Sequence, residues 1–125
     1  MRHILVNLFS ILAVALLSTG CAIGPPTQQE MNVAVRQIGR GSPLTEDYRT
    51  KIRRWFFTIL DDPMSAQFKF SRPVVGAARV QGRVLPGYMV SVQVNSKNSS
   101  GVYVGFKTYS FVFRNNQLIG VYHKY

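Results

Sequence analysis

Residues 88–95 read YMVSVQVN, and the alternation in this stretch decides the fold. Successive side chains of a β-strand point to opposite faces, so a period of two predicts a strand and not a helix. One face is apolar and the other is mixed, which is typical of a strand with one side in a core. The apolar face carries Tyr88, Val90, Val92 and Val94, and the other face carries Met89, Ser91 and Gln93.

The segments on both sides of this strand also favour strands. Residues 67–72 alternate, whereas residues 74–84 alternate less regularly because glycine and alanine dilute the pattern. The polar run 95–101 is typical of a hairpin loop. Two further strands are predicted at residues 102–114 and 118–122, joined by an Asn115-Asn116 turn that tolerates positive φ.

A short helix is predicted over residues 28–38, ahead of all the strands. Thr27 and Glu30 have the spacing of a capping box, in which each side chain satisfies a backbone amide of the other residue. Apolar residues follow at helical spacing, and Gly39 suits the end of the helix. We expect a helix of this length to need a packing surface, because it is marginal alone.

A second helix is predicted from Pro43, with Ser42 as its N-cap. Its apolar face includes Trp55 and Phe56, which we expect to anchor the core. Pro63 ends this pattern, and residues 63–66 are predicted to add one further helical turn.

These elements predict an α+β fold. N-terminal helices would pack on one face of an antiparallel sheet of about four or five strands, giving a two-layer domain. The predicted organisation is a signal peptide over residues 1–20, a tether over residues 21–42 and a single domain over residues 43–125.

The first 21 residues are typical of an export signal. A basic head precedes an apolar run that is too short to span a bilayer, and small residues lead to Cys21. The segment resembles the lipobox of bacterial lipoproteins, although Ser18 stands where that family usually has leucine. The resemblance implies lipidation of Cys21 and, because Ala22 follows it, an outer-membrane location facing the periplasm. The alternative is an ordinary signal peptide that leaves Cys21 as a free thiol.

The charge is concentrated in the second half of the chain. The net charge is +10, and eight basic but no acidic residues follow Pro63. Such a field attracts anions, which in an envelope are phospholipids, lipopolysaccharide and peptidoglycan; nucleic acid is not an expected partner of an exported chain. The alternative is an ordinary solvated surface. The candidate anion-binding residues are Arg72, Arg79, Arg83, Lys97, Lys107 and Arg114.

Two phrases resemble a pattern of small, mostly uncharacterised exported lipoproteins of Gram-negative bacteria. Residues 60–68 read LDDPMSAQF, matching Asp-Pro-x-Ser-Ala-x-Phe, and residues 94–106 read VNSKNSSGVYVGF, matching Val-Asn-x-Lys-Asn-Ser-x-Gly-x-Tyr-x-Gly-Phe. The resemblance spans residues 55–113; it implies an envelope location and supports the fold, but it carries no activity. The second phrase is a structured loop or a recognition loop, for which the candidate residues are Asn95, Lys97, Asn98 and Tyr103.

The sequence offers little for catalysis. His123 is the only histidine after the predicted signal, and no group of residues has metal-ligand spacing. Asp61 and Asp62 are adjacent, and neighbours on a helix do not face each other. We therefore expect no enzyme activity, no metal and no cofactor. The expected function is binding, as an accessory module of an envelope or secretion assembly; the alternative is direct binding of an anionic envelope polymer or lipid.

Overall fold

The computed structural model describes residues 24–124, so the predicted signal peptide and Cys21 lie outside the described residues. Within residues 24–124, two helices precede five strands. The helices are α1 (Gln28–Ile38) and α2 (Tyr48–Phe57), and the strands are β1 (Asp62–Phe70), β2 (Val74–Val80), β3 (Arg83–Lys97), β4 (Lys107–Arg114) and β5 (Gln117–Lys124).

The long strand β3 organises an entirely antiparallel sheet. It pairs with β4 along one edge and with β1 and then β2 along the other, and β5 pairs with β4. Ser71 lies in the break between β1 and β2, where its amide donates to Ser91 O at 2.9 Å and its Oγ accepts from Ser91 N at 2.9 Å. The two short strands therefore form one interrupted border of β3.

Helix α2 packs on the face of the sheet that the alternation of β3 predicted to be apolar. Ile52 and Phe56 are fully buried against Val90, Val92 and their neighbours in the core. Phe56 lies at the centre of an aromatic cluster, with ring centres between 5.1 and 5.4 Å from those of Trp55, Phe68, Tyr109 and Phe111. The prediction that Trp55 and Phe56 anchor the core is confirmed.

Helix α1 lies on the opposite side of the sheet. Its Met31 lines a groove of about 360 Å³ together with Met89, Ser110 and Tyr122. In the strand register these three residues share a face, and they alternate with the residues that pack on α2. The α+β class and the antiparallel sheet of five strands are confirmed. The expectation that both helices cover one face is wrong, because the sheet carries one helix on each side.

The helix over Gln28–Ile38 is confirmed with its capping box: Thr27 N donates to Glu30 Oε2 at 2.8 Å, and Glu30 N donates to Thr27 Oγ1 at 3.2 Å. The start predicted for the second helix, with Ser42 as cap and Pro43 as first residue, is wrong, because the helix begins at Tyr48. Side chains of the distant β4–β5 turn hold the preceding segment instead. Asn115 Oδ1 accepts from Ser42 N at 2.8 Å, and Asn116 Oδ1 accepts from Thr45 N at 2.7 Å.

Two other boundaries differ from the prediction. The helical turn predicted over residues 63–66 is wrong, because these residues belong to β1, where they form an irregular stretch between the register pairs Asp62–Lys97 and Gln67–Asn95. The strand predicted over 102–114 begins only at Lys107, and the preceding residues belong to the loop after β3. The turn between β4 and β5 is confirmed, since Asn115 and Asn116 have φ of 50° and 62°.

Candidate functional site

The two phrases of the sequence meet at one end of the sheet. Ser65, from the first phrase, accepts a hydrogen bond at its Oγ from Lys97 N at 3.0 Å. Its carbonyl oxygen accepts another from Tyr103 Oη at 3.0 Å. The loop between β3 and β4, residues 98–106, is thereby fixed against the start of β1.

The asparagines of the second phrase order this loop from inside. Asn98 Oδ1 accepts from the amides of Ser100 at 3.0 Å and Val102 at 3.1 Å. Asn95 Oδ1 accepts from Gly105 N at 2.9 Å, and Gly105 has a φ of 94°, which favours glycine. Both asparagines, predicted as structural or recognition residues, therefore have a structural role in the described loop.

Replacing Asn98 by alanine should loosen the loop without unfolding the domain. The amides of Ser100 and Val102 lose their acceptor, but both residues are exposed enough for water to replace it. We therefore expect the stability of the closed loop to fall by about 1 kcal/mol. The measurement is amide hydrogen exchange, in which the Val102 amide should exchange about fivefold faster. Ser99→Ala is the matched control, since the Ser99 side chain makes no hydrogen bond to other residues of the described range. Equal exchange in the two variants would contradict the assigned role of Asn98.

Exposed apolar side chains concentrate at this end of the domain. We call the following set the loop surface: Ile59, Met64, Val102, Tyr103, Val104 and Phe106, with Lys69, Lys97, Lys107 and Lys124. The exposed fraction is 84% for Met64, 48% for Val104 and 43% for Phe106. Of the apolar members, the sequence indicates only Tyr103, because residues 102–106 are apolar apart from Gly105 and come directly before the alternating residues of β4, which favours an extended strand. The available signal for a loop is the pair of glycines, Gly101 before the segment and Gly105 within it.

The lysines of the loop surface lie among its aromatic and apolar side chains. Lys69 Nζ is 4.3 Å from the centre of the Phe106 ring, and Lys97 Nζ is 5.4 Å from the centre of the Tyr103 ring. Lys97 and Lys107 also line a groove of about 320 Å³ with Val104. The two distances from a lysine Nζ to a ring centre are typical of cation–π contacts, which keep the ammonium groups beside the rings.

The groove also contains groups that modify its charge. Asp61 lies among its lining residues, and Asp62 is the register partner of Lys97. Lys107 and Lys124 line a neighbouring groove with Phe106. This end of the described domain thus carries four lysines and two aspartates, which leaves a net positive charge.

The six candidate anion-binding residues are not brought together. Arg83 begins β3 and Lys97 ends it, about 45 Å apart along an extended strand. Lys107 lies near Lys97, whereas Arg72 is exposed in the break between β1 and β2.

Arg79 and Arg114 have internal partners that hold α1. Arg79 Nη2 lies 2.8 Å from Glu30 Oε2, and its Nε donates to Gly24 O at 3.2 Å. The hydrogen bond from Thr27 N, followed by that from Arg79, lowers the pKa of the Glu30 carboxyl. Arg114 Nη1 donates to Gly39 O at 2.7 Å and to Pro86 O at 2.8 Å. Both guanidinium groups are thereby occupied in fastening the helix.

The described residues contain no group of three or more His, Cys, Asp or Glu that could hold a metal ion. His123 stacks on Tyr109, with ring centres 4.3 Å apart. No helix within residues 24–124 is long and apolar enough to cross a membrane. Comparisons with family models, curated proteins and solved structures find no match to this chain.

Proposed function

We propose that the chain is a non-catalytic binding module of the bacterial envelope, acting as an accessory part of an envelope or secretion assembly. The observation that carries this proposal is the loop surface. It combines exposed apolar side chains, most of them on a loop whose backbone is held by Asn95, Asn98 and Ser65, with lysines of the adjoining strands. A rigid exposed apolar surface favours contact with another component, because contiguous apolar patches on a monomer are commonly interaction sites.

The proposed attachment to the membrane is through lipidated Cys21, on the outer membrane and facing the periplasm. Cys21 precedes the first described residue, Gly24, by three positions, and three residues of extended backbone span at most about 11 Å. Gly24 itself is fastened beside β2 by Arg79. The tether between lipid and domain would therefore be short.

The alternative function is direct binding of an anionic envelope polymer or lipid. Its support is that Arg72, Arg83, Lys97 and Lys107 form no ion pair within residues 24–124. Such binding should weaken steeply with salt, because the Debye length falls from about 10 Å at 0.1 M to about 3 Å at 1 M. If the amount of protein retained on sacculi did not change with salt concentration, this alternative would be ruled out.

The test is affinity purification of the tagged full-length chain from chemically cross-linked envelopes, with mass spectrometry of the recovered material. A defined set of envelope proteins at near-stoichiometric yield is expected for an assembly component. Recovery of only lipid, lipopolysaccharide or peptidoglycan fragments would favour the alternative.

The attachment is tested separately by replacing Cys21 with alanine. We expect this variant to leave the membrane fraction in a wash at high salt, because the variant cannot be acylated and salt weakens any contact between lysines and headgroups. Ser18→Ala, which keeps the cysteine, is the matched control and should stay in the membrane fraction. Unchanged membrane association of Cys21→Ala would contradict lipid anchoring.

A further inference from the structure

We propose that the loop surface docks the domain onto an anionic lipid bilayer. The apolar side chains would enter the interface between headgroups and acyl chains, while the lysines would contact the headgroup phosphates. This inference rests on the proposed envelope location, and it does not depend on whether an assembly partner exists.

The first argument is the nature of the exposed side chains. Phe106 and Tyr103 are aromatic and Val104 and Met64 are aliphatic, and all are more than two-fifths exposed. Aromatic and lysine side chains together are typical of surfaces at the membrane interface, where lysine buries its hydrocarbon stem and keeps its ammonium group in the polar layer. Lys69 beside Phe106 and Lys97 beside Tyr103 have this arrangement before any lipid is present.

The second argument is that backbone amides of the loop are already satisfied. Val102 N donates to Asn98, Val104 N donates to Ser96 O at 3.3 Å, and Gly105 N donates to Asn95. An unpaired amide is costly to transfer out of water, so a loop that enters an apolar layer needs internal acceptors. The three hydrogen bonds remove this cost for three of the amides, and they fix the loop before it binds.

The third argument is charge. Lys69, Lys97, Lys107 and Lys124 exceed the two nearby carboxylates, Asp61 and Asp62. A lysine near an anionic membrane surface contributes about fivefold in affinity. Anionic headgroups surround a penetrating loop on all sides, so four lysines spread around the apolar side chains all find partners.

The small size of the loop surface is sufficient for a bilayer. The surface consists of ten residues, whereas a stable protein interface uses about 20–30 residues on each side, so an assembly partner would contact further residues as well. A bilayer requires no shape complementarity, so a small protruding set of apolar and basic side chains is sufficient.

The experiment places a tryptophan on the loop surface of the full-length chain. Val104→Trp is compared with Val33→Trp, both in a Cys21→Ala background that removes the proposed lipid beside α1, since the two valines are similarly exposed, at 48% and 44%, and Val33 lies on α1. The purified variants are reconstituted with vesicles containing phosphatidylglycerol, with bromine on the acyl chains as a quencher. Wild-type Trp55, which packs on Phe111 and Tyr109, supplies the baseline emission.

We expect bromine to quench the emission added by Val104→Trp and to leave Val33→Trp and the wild type unchanged. Adding Lys69→Gln, Lys97→Gln and Lys107→Gln to Val104→Trp should weaken the loop contact about fivefold for each lysine, seen as lost quenching. Thermal unfolding establishes that each variant is folded. Phosphatidylcholine vesicles should quench less than those with phosphatidylglycerol.

Two results would overturn the inference. If Val104→Trp in the Cys21→Ala background neither floats with the vesicles nor is quenched, the loop surface does not dock on the bilayer. Equal quenching of Val33→Trp would show unspecific adsorption. Neither result changes the co-purification from cross-linked envelopes, so failure of this inference and failure of the proposed function are distinguished.

Discussion

Phe56→Ala is expected to lower the free energy of unfolding by about 3–5 kcal/mol. The Phe56 side chain is fully buried, and its ring contacts four other aromatic rings contributed by α2, β1 and β4. Removing it leaves a cavity that rigid neighbouring rings cannot fill, because they are fixed on paired strands. A domain of this size has a total stability of about 5–15 kcal/mol, so a large part of the stability would disappear.

The measurement is chemical denaturation, followed by the fluorescence of Trp55. Phe57→Ala is the matched control, because Phe57 is the next residue of α2 but is 53% exposed. The control should change the stability by less than about 1 kcal/mol. Similar losses in the two variants would mean that α2 presents a different face to the sheet.

Gly87→Ala is expected to lower the free energy of unfolding by about 3 kcal/mol, the largest effect after that of Phe56→Ala. A Cβ at this position would lie 2.9 Å from the carbonyl carbon of Phe113 and closer still to its oxygen. These atoms belong to the backbone of β4, which pairs with β3 here and cannot rotate away. Adding even one methyl group must therefore separate the strands, which is the costly form of overpacking.

Gly82→Ala provides the comparison for Gly87→Ala. Gly82 lies in the turn between β2 and β3 with a φ of 76°, and a Cβ there meets no atom within 4 Å. This control introduces backbone strain without a steric clash, and we expect it to lower the free energy of unfolding by about 1 kcal/mol. Thermal unfolding of both variants is the measurement. A Gly87→Ala variant as stable as Gly82→Ala would refute the close approach of β3 and β4.

The elements that sequence reasoning placed well are those with a strong local signal. The alternation around Val90 and Val92 identifies a strand with one buried face, because no other regular structure has a period of two. The sequence predicts the first helix over residues 28–38, and the structure has the same bounds, because Thr27 and Glu30 satisfy each other's amides within one turn.

The errors arise where distant residues decide the local structure. Asn115 and Asn116 hold the amides of Ser42 and Thr45 from about 70 residues away in the chain, and no local pattern reveals such contacts. Similarly, Ser65 joins β1 through Lys97 N and not through a helical turn. The side of the sheet that α1 covers also depends on long-range packing.

The candidate site could be predicted only in outline. The phrase at residues 94–106 indicated Lys97, Asn98 and Tyr103, which the structure places at the end of β3 and in the loop that follows it. Charge and spacing could not show that Arg79 and Arg114 are occupied by Glu30 and by backbone carbonyls, because these partners lie 28 or more residues away. The loop after β3 was not recognised because an apolar run directly before an alternating strand favours an extension of that strand.

The attachment of α1 has a mechanical consequence. Ala34 is the only buried residue of α1. Polar contacts hold the helix at both ends, through the Glu30–Arg79 pair and through the hydrogen bonds that Arg114 donates to backbone carbonyls. The core on the other face of the sheet includes no residue of α1. A pull on the chain from its N-terminal side loads these polar contacts first. Unravelling the 11-residue helix would lengthen the chain by about 20 Å before any force reaches Phe56. Helix α1 would thus act as an extensible link, yielding under tension while the sheet stays folded.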